Sequence, residues 1–392
     1  MAGLVPAIHV LLFFIKKGVD ARHKAGHDSG ESAVASKVRT GLGNMAQESL
    51  RIGKSELTDF VTSIFMAVGL TKEHAAEWAK MLVWANLRGT DSHGIIRIPR
   101  YIDLVNAKSI NPAPNIRIEK KEGAAVVLEG DRAPSAVAMT MAMNEAMDCA
   151  RKVHVGMCAA RHITHTGAIG YFALQAAEAG FIGIATSASG PMMAYPGTRV
   201  AAVSSNPIAF AVPRRNGRPY LLDFSTGVVA NGKIMGAADR GEKIPVGWGL
   251  DKDGKDTTDP KAVETLLPLG GAKGAGLSFM IECLTSLLLN ESRIAPDIES
   301  WAIGDDPFLN GTVIAIDIAG FGNPDKFAVE AERLGTAISG LARAEGIAKI
   351  MLPGERGDAV RAEREANGIP IPKGTWQRIT KAAQTVGVKL PA

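Results

Sequence analysis

Between Val155 and Ser225 short β-type runs alternate with helical patterns, and that alternation limits the fold more than any other feature of the 392-residue chain. "VGMCAARHI" reads as a strand, "GYFALQAAEAG" as a helix and "FIGIATSAS" as a strand again. "PIAFAVPRR" and "PYLLDFS" read as two more strands, turned by Asn216-Gly217, a pair suited to a tight hairpin. Upstream, "IRIEKKEG" and "AAVVLEG" are strand candidates, and 135–152 is a helix rich in Met and Ala. Downstream, "GLSFMIECLTSLLLN" is an apolar helix expected in the core, "GTVIAIDIAGF" a strand and "KFAVEAERLGTAISGLARA" a helix; from Ile350 the tail reads as loop plus a last short helix. Towards the N-terminus, helical patterning begins at "ESLRIGKSELTDF", with a capping box from Ser55. A second helix is capped by Thr71 and stopped by Gly89, and a third holds Pro99 in its first turn and ends near Asn106. Helices at both ends of a β-rich middle predict a mixed α/β, or α+β, enzyme whose chain ends pack together.

The first 44 residues stand outside this pattern. "PAIHVLLFFIKKG" is too short to span a bilayer, which takes about 20 apolar residues, and lacks the leading basic segment of a signal peptide. The stretch "VDARHKAGHDSGESAVASKVRTGLGN" has no periodicity, so residues 1–44 are expected to be an extension outside the fold, with Met45 as an alternative start. That segment holds six Lys/Arg against three Asp/Glu, hence +3 of the formal +4 net charge. The remainder has no basic stripe with interleaved aromatics, which argues against nucleic acid as a partner. Hydrophobic residues at 46% and charged residues at 21% fit a soluble globular protein, with no membrane partner expected. Cys149, Cys158 and Cys283 follow no CxxC spacing, so neither a disulfide framework nor a zinc site is expected, and a reducing cytoplasm is the simplest setting.

Two clusters carry chemistry. "RGTDSHGIIRIPRYIDL" puts Asp91, Ser92, His93, Arg97 and Tyr101 close together, a set that suits holding a small carboxylate and moving a proton. "RHITHTGAIGYF" places His162 and His165 at a strand-to-helix junction among glycines and hydroxyls. The cofactor signature GxGxxG is absent, and "GVVANGKI" fails as a P-loop because Ile234 stands where a hydroxyl must hold magnesium. "LPLGGAKGAGLSF" surrounds Lys273 with glycines at a helix start, which favours an anion, though close packing explains such glycines equally well. "TTDP" (257–260) reads as a structural turn or helix cap.

Taken in order, "DSHGIIRIPRY", "HTGAIGYFALQAAEAGFIGI", "SNPIAFAVP", "LLDFST", "VANGKI", "DKDGKDTTDP", "LLPLGGAKGAGL" and "LPGE" resemble the type 2 malate/L-lactate dehydrogenase family over roughly 50–372. The resemblance implies a non-Rossmann fold, with a β-rich NAD(P)-binding mixed-sheet domain at 118–270 and a helix-rich domain built from 45–117 and 271–392. It implies hydride transfer between NAD or NADP and C2 of a small 2-hydroxy or 2-oxo acid, of malate, lactate, sulfolactate or ureidoglycolate type. By the same resemblance His165 is the general acid/base, with His93 as second choice, and Arg97 clamps the substrate carboxylate, with Ser92 and Tyr101 orienting polar atoms. Ser189, Asp223, Phe224, Ser225, Lys273, Gly354, Glu355 and Arg356 fall on the cofactor loops. A homodimer without metal is expected. A cyclic imine reductase and an inactive ligand-binding homologue are the alternatives. Departures from the family pattern at Gly190, Thr198, Ser204 and Ala275 leave the substrate open.

Overall fold

The computed structural model describes residues 50–300 and 308–390, so the extension expected at 1–44 lies outside the described residues. Where the pattern reads as helix from Glu48, the first described element is strand β1 (Leu50–Ile52). Helices α1 (Lys54–Ala67) and α2 (Lys72–Leu87) come next. Gly53, not Ser55, is the N-cap of α1, and Ser55 falls inside the first turn. Thr71 caps α2 by accepting the His74 N–H at 3.3 Å. Helix α3 (Ile98–Asn106) carries Pro99 in its first turn, where a missing N–H costs nothing.

The chain then makes strands β2 (Arg117–Glu122) and β3 (Ala125–Glu129), helix α4 (Ser135–Val153), strand β4 (Val155–Ile163), helix α5 (Gly170–Glu178) and strand β5 (Phe181–Ala188). Short strands β6 (Met193–Ala194) and β7 (Ala201–Val203) lead to the hairpin of β8 (Pro207–Val212) and β9 (Tyr220–Ser225). Next come helix α6 (Asn231–Arg240), strands β10 (Gly249–Leu250) and β11 (Thr265–Leu266), helices α7 (Ala272–Leu284) and α8 (Ile294–Ser300), and strand β12 (Leu309–Asp317). Helices α9 (Pro324–Ser339) and α10 (Glu355–Asn367), strand β13 (Ile369–Ile371) and helix α11 (Lys373–Thr385) complete it. The tail therefore holds two helices and a strand, not one short helix. "TTDP" is structural as expected: Asp259 accepts the Lys261 N–H at 2.9 Å and caps a single 3₁₀ turn.

Seven strands form one sheet in the order β2-β3-β4-β12-β5-β8-β9. The domain boundary expected at 270 does not hold, because β12 is the middle strand of the sheet assigned to 118–270. Its alternation of Val, Ile and Ala suits a strand paired on both edges, and Val313 and Ala315 are fully buried. Helix α4 lies on β4 and β12, and α5 on β5 and β8. Small side chains permit this: Ala136, Ala138, Ala142, Ala146 and Ala150 of α4 are all fully buried, with Met139 and Met143 filling the gaps between them. Strands β1 and β13 pair antiparallel, joining the two ends of the described chain.

Trp78 of α2 stacks on Phe65 of α1 at 4.1 Å between ring centres and meets Tyr101 of α3 at 4.7 Å. Burying each such side chain contributes about 1.5–3 kcal/mol, so the phenol of Tyr101 rests on one of the firmest parts of the core. Helix α7, expected in the core, is only partly so. Its Ser278 and Ile281 are buried, whereas Phe279 and Met280 are 52% and 57% exposed and Leu284 is 48% exposed.

Candidate active site

Strands β4, β5 and β9 run the same way, since β12 is antiparallel to both β4 and β5, and β8 is antiparallel to both β5 and β9. Their carboxyl ends therefore leave the sheet on one side, a common place for a ligand crevice in open α/β sheets. His165 comes just after the end of β4, Ser189 just after β5, and Ser225 ends β9. The Thr166 and Ser187 hydroxyls hydrogen-bond at 2.9 Å and tie the first two of these ends together.

The second cluster arrives from the helical layer. Two single 3₁₀ turns, Asp91–His93 and Ile95–Arg97, connect α2 to α3. The Asn86 side chain holds both: its Oδ1 accepts the Ile95 N–H at 2.8 Å and its Nδ2 donates to Asp91 Oδ1 at 2.6 Å. Gly94 is required there, because a β-carbon would lie 2.1 Å from Asn86 Oδ1. Arg97 Nε donates to the Ser92 carbonyl at 2.7 Å, which leaves its two terminal nitrogens for a ligand. The Ser92 hydroxyl and His93 Nδ1 are 2.9 Å apart. Gly232 in α6 lies close to Ser92, where a β-carbon would come 3.0 Å from Ser92 Cβ.

The two clusters meet. The His93 and His165 rings lie nearly parallel at 5.7 Å between centres. Tyr101, expected to orient the substrate, has a buried hydroxyl whose hydrogen-bond partner is His165 Nδ1 at 2.8 Å. His165 Nε2 has no protein partner among the described residues.

Both imidazoles are partly open to solvent yet crowded by protein. Crowding first, then His93 when protonated and the Arg97 guanidinium, pushes His165 down to about 3. Crowding and Arg97 push His93 down to about 4. Burial raises the Tyr101 phenol far above its ordinary value, against the pull of Arg97. At neutral pH the cluster is thus two neutral imidazoles and a neutral phenol beside one guanidinium.

Tyr101→Phe removes the hydroxyl and leaves Nδ1 unpaired, a loss of about 1–3 kcal/mol. The expected result is kcat lowered about tenfold or more, with little change in KM. An unchanged kcat would show that the phenol is packing alone.

The candidate cofactor residues are less uniform. Asp223 of β9 accepts the Gly170 N–H at 2.9 Å, at the start of α5 and close to His165 in sequence. Solvent reaches its carboxyl, but surrounding protein raises it to about 6, opposed by that N–H and by Arg88. Phe224 and Ser225 sit half-buried beside it on β9. The first turn of α7, which carries Lys273, is tied to that strand end: Leu269 N–H donates to Thr226 O at 2.9 Å and Gly274 N–H to Leu269 O at 2.8 Å. The Ser189 hydroxyl is bonded to Ser204 Oγ at 2.6 Å. Gly354 packs on Leu221 of β9, and Arg356 is exposed. The Glu355 carboxylate accepts the Leu352 N–H and pairs with Lys349, both at 3.2 Å. His162 Nδ1 lies 2.9 Å from Glu129 and its Nε2 3.6 Å from Glu291, carboxylates that Arg161 also pairs with.

Sequence reasoning missed Asn86, Arg88 and Arg364. Asn86 left a signal, a lone amide inside the apolar run "MLVWANL". Arg88 pairs with Asp358, and Arg364 with Asp91, across more than two hundred residues that no spacing rule connects.

A family model for malate/L-lactate dehydrogenase matches residues 52–380. A malate dehydrogenase of Pyrococcus abyssi is 34% identical over 363 residues, covering 88% of this chain and 98% of that protein. An NAD(+) ureidoglycolate dehydrogenase of Escherichia coli is 32% identical over 337 residues, covering 85% and 96%. The crystal structure of a malate dehydrogenase from Entamoeba histolytica aligns with a TM-score of 0.82 at 26% identity, over 88% of this chain and 100% of that one. The chain therefore belongs to the malate/L-lactate dehydrogenase family and is an oxidoreductase.

Proposed function

We propose that this enzyme transfers a hydride between NAD or NADP and C2 of a small 2-hydroxy or 2-oxo acid. The observation that carries the reading is that Arg97, whose guanidinium end is free, lies near enough to act on the charge of His165, whose Nε2 is unpartnered among the described residues. The residues at the strand ends suit a dinucleotide. Lys273 at the start of α7 offers positive charge at a helix N-terminus for phosphate, and the Asp223 carboxylate and the Ser189 and Ser225 hydroxyls offer partners for ribose oxygens. Gly354 and Arg356 border the same strand. When bound there, a nicotinamide supplies the acceptor or donor of the hydride.

The chain's own part is binding and proton movement. Arg97 takes the substrate carboxylate with its two terminal nitrogens, a planar fork that lysine cannot reproduce. Ser92 and His93 orient the remaining polar atoms. For Nε2 to act as the base, the imidazole carries its proton on Nδ1 and donates it to the Tyr101 oxygen 2.8 Å away. The substrate hydroxyl proton then moves to Nε2 as the carbonyl forms, and returns from it in the reverse direction.

The exposed apolar face of Phe279, Met280, Leu284, Leu287 and Leu288 is read as the surface that a second copy covers, to be checked by light scattering. The thiols of Cys149, Cys158 and Cys283 are free, which fits the cytoplasm. The decisive test is turnover of malate, lactate, sulfolactate, ureidoglycolate and a cyclic imine carboxylate with each nicotinamide. Oxidation of at least one hydroxy acid is expected. Turnover of the imine alone would move the assignment to an imine reductase, and failure to bind either reduced cofactor would reject it.

A further inference from the structure

We infer that Arg364, on helix α10, is a positioning residue that holds the substrate loop in register with the cofactor strand; the inference rests on Arg97 being the carboxylate clamp. The loop has little structure of its own. Its internal backbone bonds are His93 N–H to Thr90 O, Gly94 N–H to Asp91 O and Arg97 N–H to Gly94 O, all of the weaker three-residue kind. What fixes it comes from outside.

Arg364 donates to both oxygens of Asp91, at 2.6 and 3.0 Å, and also to the Asn86 carbonyl. The side chain of Arg364 is 13% exposed, so this fork is shielded on most sides, although Asp91 is half open. Asp91 in turn takes the Asn86 amide, whose other end holds Ile95. Ser92 is the next residue after Asp91, and its carbonyl fixes Arg97 Nε. A displacement of Asp91 therefore passes through Ser92 to the guanidinium that takes the ligand.

The other end of α10 explains why the fork comes from this helix. Pro353, just before it, accepts the Leu221 N–H at 3.2 Å, two positions ahead of Asp223 on β9. Arg88, at the end of α2, bonds Asp358 and the Gly354 carbonyl. The chain entering α10 thus meets β9 at Pro353 and Gly354, and the helix meets the loop a few turns later through Arg364, about 1.5 Å per residue along a stiff rod. The helix thereby ties the position of the loop to that of the strand.

The test uses the full-length protein with Arg364→Met, Arg364→Lys and Asp91→Asn. It reads kcat and KM for whichever hydroxy acid the wild type turns over, NADH Kd by fluorescence, and hydrogen exchange in the 88–98 segment. Arg364→Met is expected to raise KM about tenfold or more, the scale of a lost charged hydrogen bond. NADH Kd should stay within about twofold, kcat should change far less than KM, and exchange in 88–98 should quicken. Arg364→Lys should recover part of the loss, since lysine restores charge but not the fork. Asp91→Asn should raise KM similarly, and the double variant should be no worse than Arg364→Met alone. Unchanged KM and unchanged exchange in a folded variant would overturn the inference, as would equal losses in KM and NADH Kd. If Arg364→Met does not fold, Arg364→Lys and Asp91→Asn carry the comparison. If the wild type oxidises no hydroxy acid, the functional reading has failed, and exchange in 88–98 alone decides whether Arg364 holds the loop.

Discussion

His165→Ala is expected to lower kcat by about 10²–10⁴-fold, the usual range for a positioned acid or base, while NADH affinity stays within a few-fold. The wild-type pH profile is the sharper part of the same result. A base works unprotonated, and protein crowding with His93 and Arg97 holds His165 down to about 3. In the oxidative direction kcat/KM should therefore stay level as pH falls through 6.5, the ordinary value for imidazole, and decline only well into the acid. Binding a carboxylate neutralises Arg97 and removes one of the forces that depress His165, so the acid limb of kcat should lie above that of kcat/KM. A kcat/KM midpoint near the ordinary imidazole value, or a His165→Ala enzyme with full turnover, would remove His165 from the chemistry. An inactive ligand-binding homologue would bind NADH and show no turnover to lose.

The second large effect belongs to Arg97. Arg97→Gln should raise KM for the hydroxy acid about 10–100-fold, because two charge-assisted hydrogen bonds are lost together. It should also move the acid limb of kcat/KM upward, since Arg97 helps to hold down both His93 and His165. Arg97→Lys separates the two roles. It keeps the charge, so the limb should stay in place, but it loses the planar fork, so KM should still rise. Steady-state kinetics across pH on the two variants check this, and a KM unmoved in both would dismiss the carboxylate clamp.

Local patterning made most of the elements legible. Strands Val155–Ile163 and Phe181–Ala188 and helix Gly170–Glu178 emerge from runs whose period and bounding glycines agree. Local patterning failed where a partner distant in sequence decides. Leu50–Ile52 carries a helix-compatible pattern, yet it pairs with Ile369–Ile371, which no nearby residue announces. The apolar character of α7 reads equally as core or as exposed contact face, and only burial separates Ile281 from Phe279. In the candidate site, Gly, Pro and strand-end positions mark the loops that carry His93, Arg97 and His165, and the structure brings those loops together. The phenol of Tyr101 turned to the histidine, since its place on α3 puts the ring on Trp78 and its hydroxyl at Nδ1. Glu355 was absorbed by Leu352 and Lys349, partners that lie too close in sequence for a motif to reveal the competition.

The position of β12 bears on how the molecule is made. Val313 must come to rest beside both Cys158 and Ala185, so the two strands that deliver His165 and Ser189 wait, with open edges, for a segment emerging from the ribosome much later. Such long-range closure slows folding and leaves sticky strand edges in the nascent chain. Synthesis that stops short of Asp317 should yield aggregation-prone polypeptide with no catalytic cleft, so competence arrives late and all at once during translation.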